Sequence, residues 1–133
     1  MGGRCLAVPD GWYALERDDS SVWRWTSGRG ALVVTVPATT SLQVQGEITS
    51  IRVPNSVEVV ANGKRERTLP ITQGGWAPIE FTLEVAPGTM IIEFVSDNLP
   101  TVIPTDSRPL AIAVRNLTMT LGEGGGTCDA GWR

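Results

Sequence analysis

The chain has 133 residues, a net charge of −3, 41% apolar and 19% charged residues, which describes one globular domain and excludes a disordered chain. No apolar run reaches the roughly 18 residues of a membrane-spanning helix, so no membrane insertion is expected. The acidic balance, with the basic cluster Lys64, Arg65, Arg67 broken by Glu66 beside an Asn62-Gly63 turn, argues against a nucleic-acid partner.

Period-two alternation runs through most of the chain and a helical period is nearly absent. Ala31 to Val36 is a short β-branched apolar run. Leu42, Val44, Gly46 and Ile48 then alternate with Gln43, Gln45 and Glu47, and Val57 and Val59 flank Glu58. Asn62-Gly63 is a two-residue hairpin signal, since both turn residues must accept positive φ. Ile79, Phe81, Leu83 and Val85 alternate with Glu80, Thr82 and Glu84 up to a Pro87-Gly88 turn, and Met90 to Ser96 runs back. Leu110, Ile112 and Val114 alternate with Ala111, Ala113 and Arg115, and Leu117, Met119 and Leu121 follow, with Asn116 marking a bulge between the two halves.

The expected fold is all-β: an antiparallel β-sandwich of about eight or nine strands. A jelly roll is preferred over an immunoglobulin-like sandwich, whose Cys–Trp–Cys core is missing. Residues 1–121 form the domain, residues 97–109 a long Pro-rich loop, and residues 122–133 a Gly-rich tail that Cys128 ties back. In a sandwich the first and last strands often lie side by side, so Cys5 and Cys128 are expected to pair, which implies an extracytoplasmic, oxidising setting. Residues 1–13 hold no apolar signal core.

With no histidine, Ser-His-Asp and Cys-His nucleophiles are impossible, and no G-x-S-x-G elbow or P-loop is present. The adjacent acids Asp18 and Asp19 read as solvated turn residues and not as a glycosidase pair, so no catalytic residue is assigned. No cofactor or metal site is assigned either. A structural Ca2+ is the minor alternative, with oxygens from Asp18, Asp19, Asp97 and Asp106 but no defined loop motif. Asn116-Leu117-Thr118 matches the glycosylation pattern, but a strand position disfavours modification.

Five tryptophans against one tyrosine and two phenylalanines is an unusual balance. Indole faces suit sugar rings, whose C–H groups pack on the π surface. Trp23 and Trp25 share one face of a strand and read as core anchors, with Arg24 pointing the other way. Trp12 and Trp76 sit in Gly-containing loops and are the better ligand-binding candidates, with capping of the open end of the core as an equally common role for such residues. Arg108 and Asp106 are the polar candidates. The structural role, an ion pair with Glu16 or Arg24 that pins the 97–109 loop, is preferred for them over ligand binding.

Gly11-Trp12-Tyr13 through Glu16, Trp23-Arg24-Trp25-Thr26, Ala31 with a strand ending at Pro37, and the distant Asp106-Ser107-Arg108-Pro109-Leu110-Ala111-Ile112-Ala113-Val114 together resemble galactose-binding-like jelly rolls. Such modules accompany bacterial membrane glycosyltransferases and other cell-envelope carbohydrate enzymes. The resemblance covers residues 10–121 and implies a non-catalytic extracytoplasmic module near glycans or cell-envelope polysaccharide. The alternative is a self-assembling structural subunit of a filament, surface layer or virion, which makes a homo-oligomer the competing partner.

Overall fold

The alternating segments pair into two antiparallel sheets that face each other. The computed structural model describes residues 5–122, 126–128 and 132. The first sheet orders its strands β1 (Leu6–Asp10), β4 (Arg29–Val36), β9 (Gly88–Ser96), β6 (Asn55–Ala61) and β7 (Lys64–Ile71). The second orders β2 (Glu16–Arg17), β3 (Val22–Thr26), β12 (Ile112–Leu121), β5 (Thr40–Ser50) and β8 (Ala77–Val85), with β13 (Thr127–Cys128) also on β12. Most of the long strands bury alternate residues, as in β8, where Ile79, Phe81, Leu83 and Val85 point in and Glu80, Thr82 and Glu84 point out, while β5 and β12 also bury the runs Ile48–Ser50 and Ile112–Val114. Leu32, Phe94 and Ile92 from the first sheet and Leu42, Ile48 and Met119 from the second are buried almost completely, which locates the core between the layers.

The turn chemistry follows the sequence closely. Asn62 and Gly63 join β6 to β7 with φ of 49° and 82°, the backbone a two-residue hairpin requires. Asn116 has φ of 52° where the β12–β5 register shifts between Arg115 and Thr118, and its side-chain oxygen accepts the Val22 N–H at 3.0 Å. Gly46 lies opposite this bulge, where a Cβ would stand 3.0 Å from the Arg115 carbonyl oxygen, so the close approach of the two backbones favours glycine.

Three expectations change. Residues 97–109 are not one loop: Thr101–Ile103 (β10) pairs with Asp106–Leu110 (β11) as a small separate hairpin. Among the described residues the strand segments number thirteen, because short pairings such as Glu16–Arg17 carry too little pattern to read. Cys5 and Cys128 are bridged with Cα atoms 4.6 Å apart, yet their strands are not neighbours. Cys5 precedes β1 in the first sheet and Cys128 belongs to β13 in the second, so the disulfide ties one layer to the other. Trp132 is 4% exposed and its indole N–H donates to the Val114 carbonyl at 2.8 Å, so this residue belongs to the core, while the rest of the 122–133 tail, apart from residues 122 and 126–128, lies outside the described residues.

Candidate functional site

Strand register decides which side chains face outward on the second sheet. Val114 pairs with Arg24 on one side and Ile48 on the other, and Val114 and Ile48 are buried, so this row faces the core. One residue along, Trp23, Arg115, Glu47 and Pro78 form a row across β3, β12, β5 and β8 on the opposite, outer face. The next row on this side holds Trp25, Ala113 and Thr49, of which Ala113 and Thr49 are buried and only Trp25 stays partly exposed. Trp23 and Trp25 are therefore half-exposed on the outer face, which corrects their reading as core anchors. The inward place between them goes to Arg24. Its guanidinium lies 5.3 Å from the Trp132 ring and donates to the Tyr13 carbonyl at 3.0 Å, and burial lowers its pKa.

Arg115 organises the outer face. It grips Glu47 in a two-pronged fork, Nε to Oε1 at 2.9 Å and Nη2 to Oε2 at 3.0 Å. Those hydrogen bonds hold the Glu47 carboxyl below the usual carboxylate range. Trp76 lies on the same guanidinium, its ring centroid 4.4 Å from Cζ. The loop from Thr72 to Trp76 turns through Gly75 with φ of 89° before entering β8. Trp23 and Trp76 thus flank a fixed Arg–Glu pair, with Trp25 one row away.

Arg108 and Asp106 come together as expected, and Glu16 joins them. Arg108 Nη2 stands 2.6 Å from Asp106 Oδ2 and 3.1 Å from Glu16 Oε2. Its side-chain and backbone donors hold the Asp106 carboxyl down to about 2, and Asp106 in turn raises the guanidinium. The Arg108 guanidinium also lies 4.9 Å from the Tyr13 ring centroid, and the Tyr13 hydroxyl donates to the Pro109 carbonyl at 2.8 Å. These contacts anchor the β10–β11 hairpin to the sheet through Glu16, and not through Arg24.

Trp12 and Trp76 are not brought to one site. The Trp12 ring presses on the backbone of Gly30, where a Cβ would come within 2.2 Å of it. Its N–H donates to the Ala31 carbonyl at 3.1 Å, and its ring meets Phe94 and Trp132 edge-on with centroids 6.0 and 5.2 Å away. Among the described residues no cluster of three or more His, Cys, Asp or Glu is gathered for a metal. Asp18 instead accepts the backbone N–H groups of Ser20 and Ser21, which lower its pKa.

Sequence reasoning passed over Arg115 and Glu47, although both fell on the outward side of the alternation. The signal was a charged residue inside an apolar strand facing an opposite charge on its neighbour, and it needs the β12–β5 register to be seen.

No protein-family model matches the chain, and no curated protein matches it. Solved structures do. A family 35 carbohydrate-binding module from an environmental isolate aligns with a TM-score of 0.55 at 12% identity, over 96% of this chain and 97% of that one. A family 35 module from Clostridium thermocellum aligns with a TM-score of 0.51 at 13% identity, over 86% of this chain and 97% of its own. The EclA C-terminal domain, a sugar-binding protein, aligns with a TM-score of 0.51 at 15% identity, over 80% and 81%. The fold is an antiparallel β-sandwich of the jelly-roll kind. Identity this low establishes the jelly roll alone, and the ligand must be argued from the residues on its surface.

Proposed function

We propose that this jelly roll is a non-catalytic carbohydrate-binding module whose ligand lies across the outer face of the second sheet. The observation that carries the reading is the set Trp23, Trp25 and Trp76 held around the Arg115–Glu47 pair. Sugar rings offer C–H faces to indoles and hydroxyls to a guanidinium or carboxylate, and this surface supplies both. The Arg115 fork and the stacked Trp76 fix the geometry before ligand arrives, which lowers the entropic cost of binding. Trp23 beside Arg115 on the neighbouring strand and Trp76 on the Arg115 guanidinium offer two indoles, and the ligand we propose for them is a chain of sugars. Arg108 and Asp106 border the face and hold the hairpin, and Trp12 packs the end of the core.

The chain has no histidine, and Glu47, ionised by its fork with Arg115, is a poor proton donor. Both features favour binding without catalysis. The disulfide linking Cys5 and Cys128 favours an oxidising, extracytoplasmic compartment.

Self-assembly has one feature in its favour: Leu6, Val8 and Ile91 are exposed near the β1 edge of the first sheet. Light scattering coupled to size exclusion, with affinity electrophoresis through soluble polysaccharides, separates the two. The module reading expects a monomer retarded by at least one polysaccharide. It also expects Trp23→Ala or Trp76→Ala to cost about 2 kcal/mol of affinity or more, about 30-fold. A defined multimer that ignores every polysaccharide overturns it.

A further inference from the structure

The charges around the tryptophan face carry a statement about which saccharides it takes. This inference rests on the sheet-face reading above. Among the described residues, Arg115 and Arg108 are the guanidiniums that reach the face, and carboxylates claim both. Arg115 is forked onto Glu47, and Arg108 is shared by Asp106 and Glu16. Arg17 follows Glu16 on β2 and so points to the other side of the sheet. Arg67 reaches only the β8 margin from the other sheet, donating to the carbonyls of Glu66 and Thr82 at 2.7 and 2.6 Å.

The rest of the face adds negative charge. Glu80 and Glu84 lie exposed along β8 on the outward side, Glu80 accepting from Gln45. Among the described residues, carboxylates outnumber guanidiniums on this surface, Arg115 and Arg108 are both paired with carboxylates, and Arg52 is held by its Nε on the Thr101 hydroxyl of the β10–β11 hairpin at 2.8 Å. An acidic sugar that approached Arg115 or Arg108 would have to displace an intramolecular partner from a fixed pair, against like-charge repulsion.

We infer that the tryptophan face selects uncharged saccharide chains and excludes acidic ones such as polyuronates. Neutral hydroxyls lose nothing on such a surface, because Glu47, Gln45 and Glu80 present acceptors and amide donors to them.

The test is calorimetric titration of the intact, oxidised protein at low salt. The probes are neutral β-linked gluco-, xylo- and manno-hexasaccharides and a galacturonate hexamer. At least one neutral chain is expected to bind, with the galacturonate at least about tenfold weaker. The gap should narrow in molar salt and in the Glu80→Gln/Glu84→Gln double variant, whose two positions are exposed. Galacturonate bound as tightly as the best neutral chain overturns the selectivity and leaves the sheet-face reading standing. A gap that neither salt nor the double variant moves assigns the discrimination to shape and overturns the charge argument. If no chain of either kind binds, the reading and the inference fall together.

Discussion

Trp12 and Trp132 close one end of the sandwich, and Trp23, Trp25 and Trp76 lie on the outer face of one sheet. In the first set the N–H of each indole is spent on a main-chain carbonyl, Ala31 for Trp12 and Val114 for Trp132, and the rings meet each other edge-on at 5.2 Å. In the second set Trp76 rests on a guanidinium, and Trp23 and Trp25 remain half-exposed beside it. The same side chain serves cohesion in one place and recognition in the other. What separates them is placement: Trp12 and Trp132 lie off the strands against the core, whereas strand parity turns Trp23 and Trp25 outward and the loop before β8 lays Trp76 on the same face.

That contrast can be broken in several ways. The largest effect belongs to the bridge behind the end cluster. Cys5→Ser with Cys128→Ser should cost about 4–5 kcal/mol on the chain-entropy account for a loop of this length, measured by guanidinium denaturation. Trp12→Ala should cost about 3–5 kcal/mol in the same assay, whereas Trp25→Ala on the outer face should cost about 1 kcal/mol. Equal losses at the two positions would erase the distinction. Gly30→Ala would drive a methyl into the Trp12 ring and should cost about 1–3 kcal/mol, with a change in tryptophan fluorescence that reports the displaced indole.

The smallest effect concerns the hairpin anchor. Asp106 has a carboxyl held at about 2 in the folded state against an ordinary 3.8. Its folded pKa is depressed, so its contribution is fully present above the ordinary value and fades as pH falls through about 2. Denaturation curves between pH 5 and pH 2 should show a steeper loss for the native protein than for Asp106→Asn. Parallel curves would mean that Arg108 does not depend on this partner.

The fold was legible because its signals are local. The alternation of Ile79 to Val85, the Asn62-Gly63 turn and the break at Asn116 each declare themselves within a few residues. The cysteine pairing was legible too, though not that it crosses between sheets. The outer-face site was harder to read. Trp23 and Trp25 gave a shared face but not its direction, because an arginine between two tryptophans reads as the exposed partner. Here Arg24 is the one directed inward, where the Trp132 ring and the Tyr13 carbonyl receive it. Trp132 lies over a hundred residues away in sequence. Arg115 and Glu47 likewise acquire meaning only from the pairing of β12 with β5. Trp12 looked like a displayed loop aromatic because nothing nearby reveals that Gly30 leaves room for its ring.

The covalent link between Cys5 and Cys128 also has a mechanical meaning. Tension applied to the chain outside these two residues passes through a single sulfur–sulfur bond, and the strands between them, spanning a separation of 123 residues, are left out of the load path. Under pull the oxidised domain behaves as an inextensible clip. Its lateral tryptophan surface would keep its shape while the polypeptide on either side is stretched.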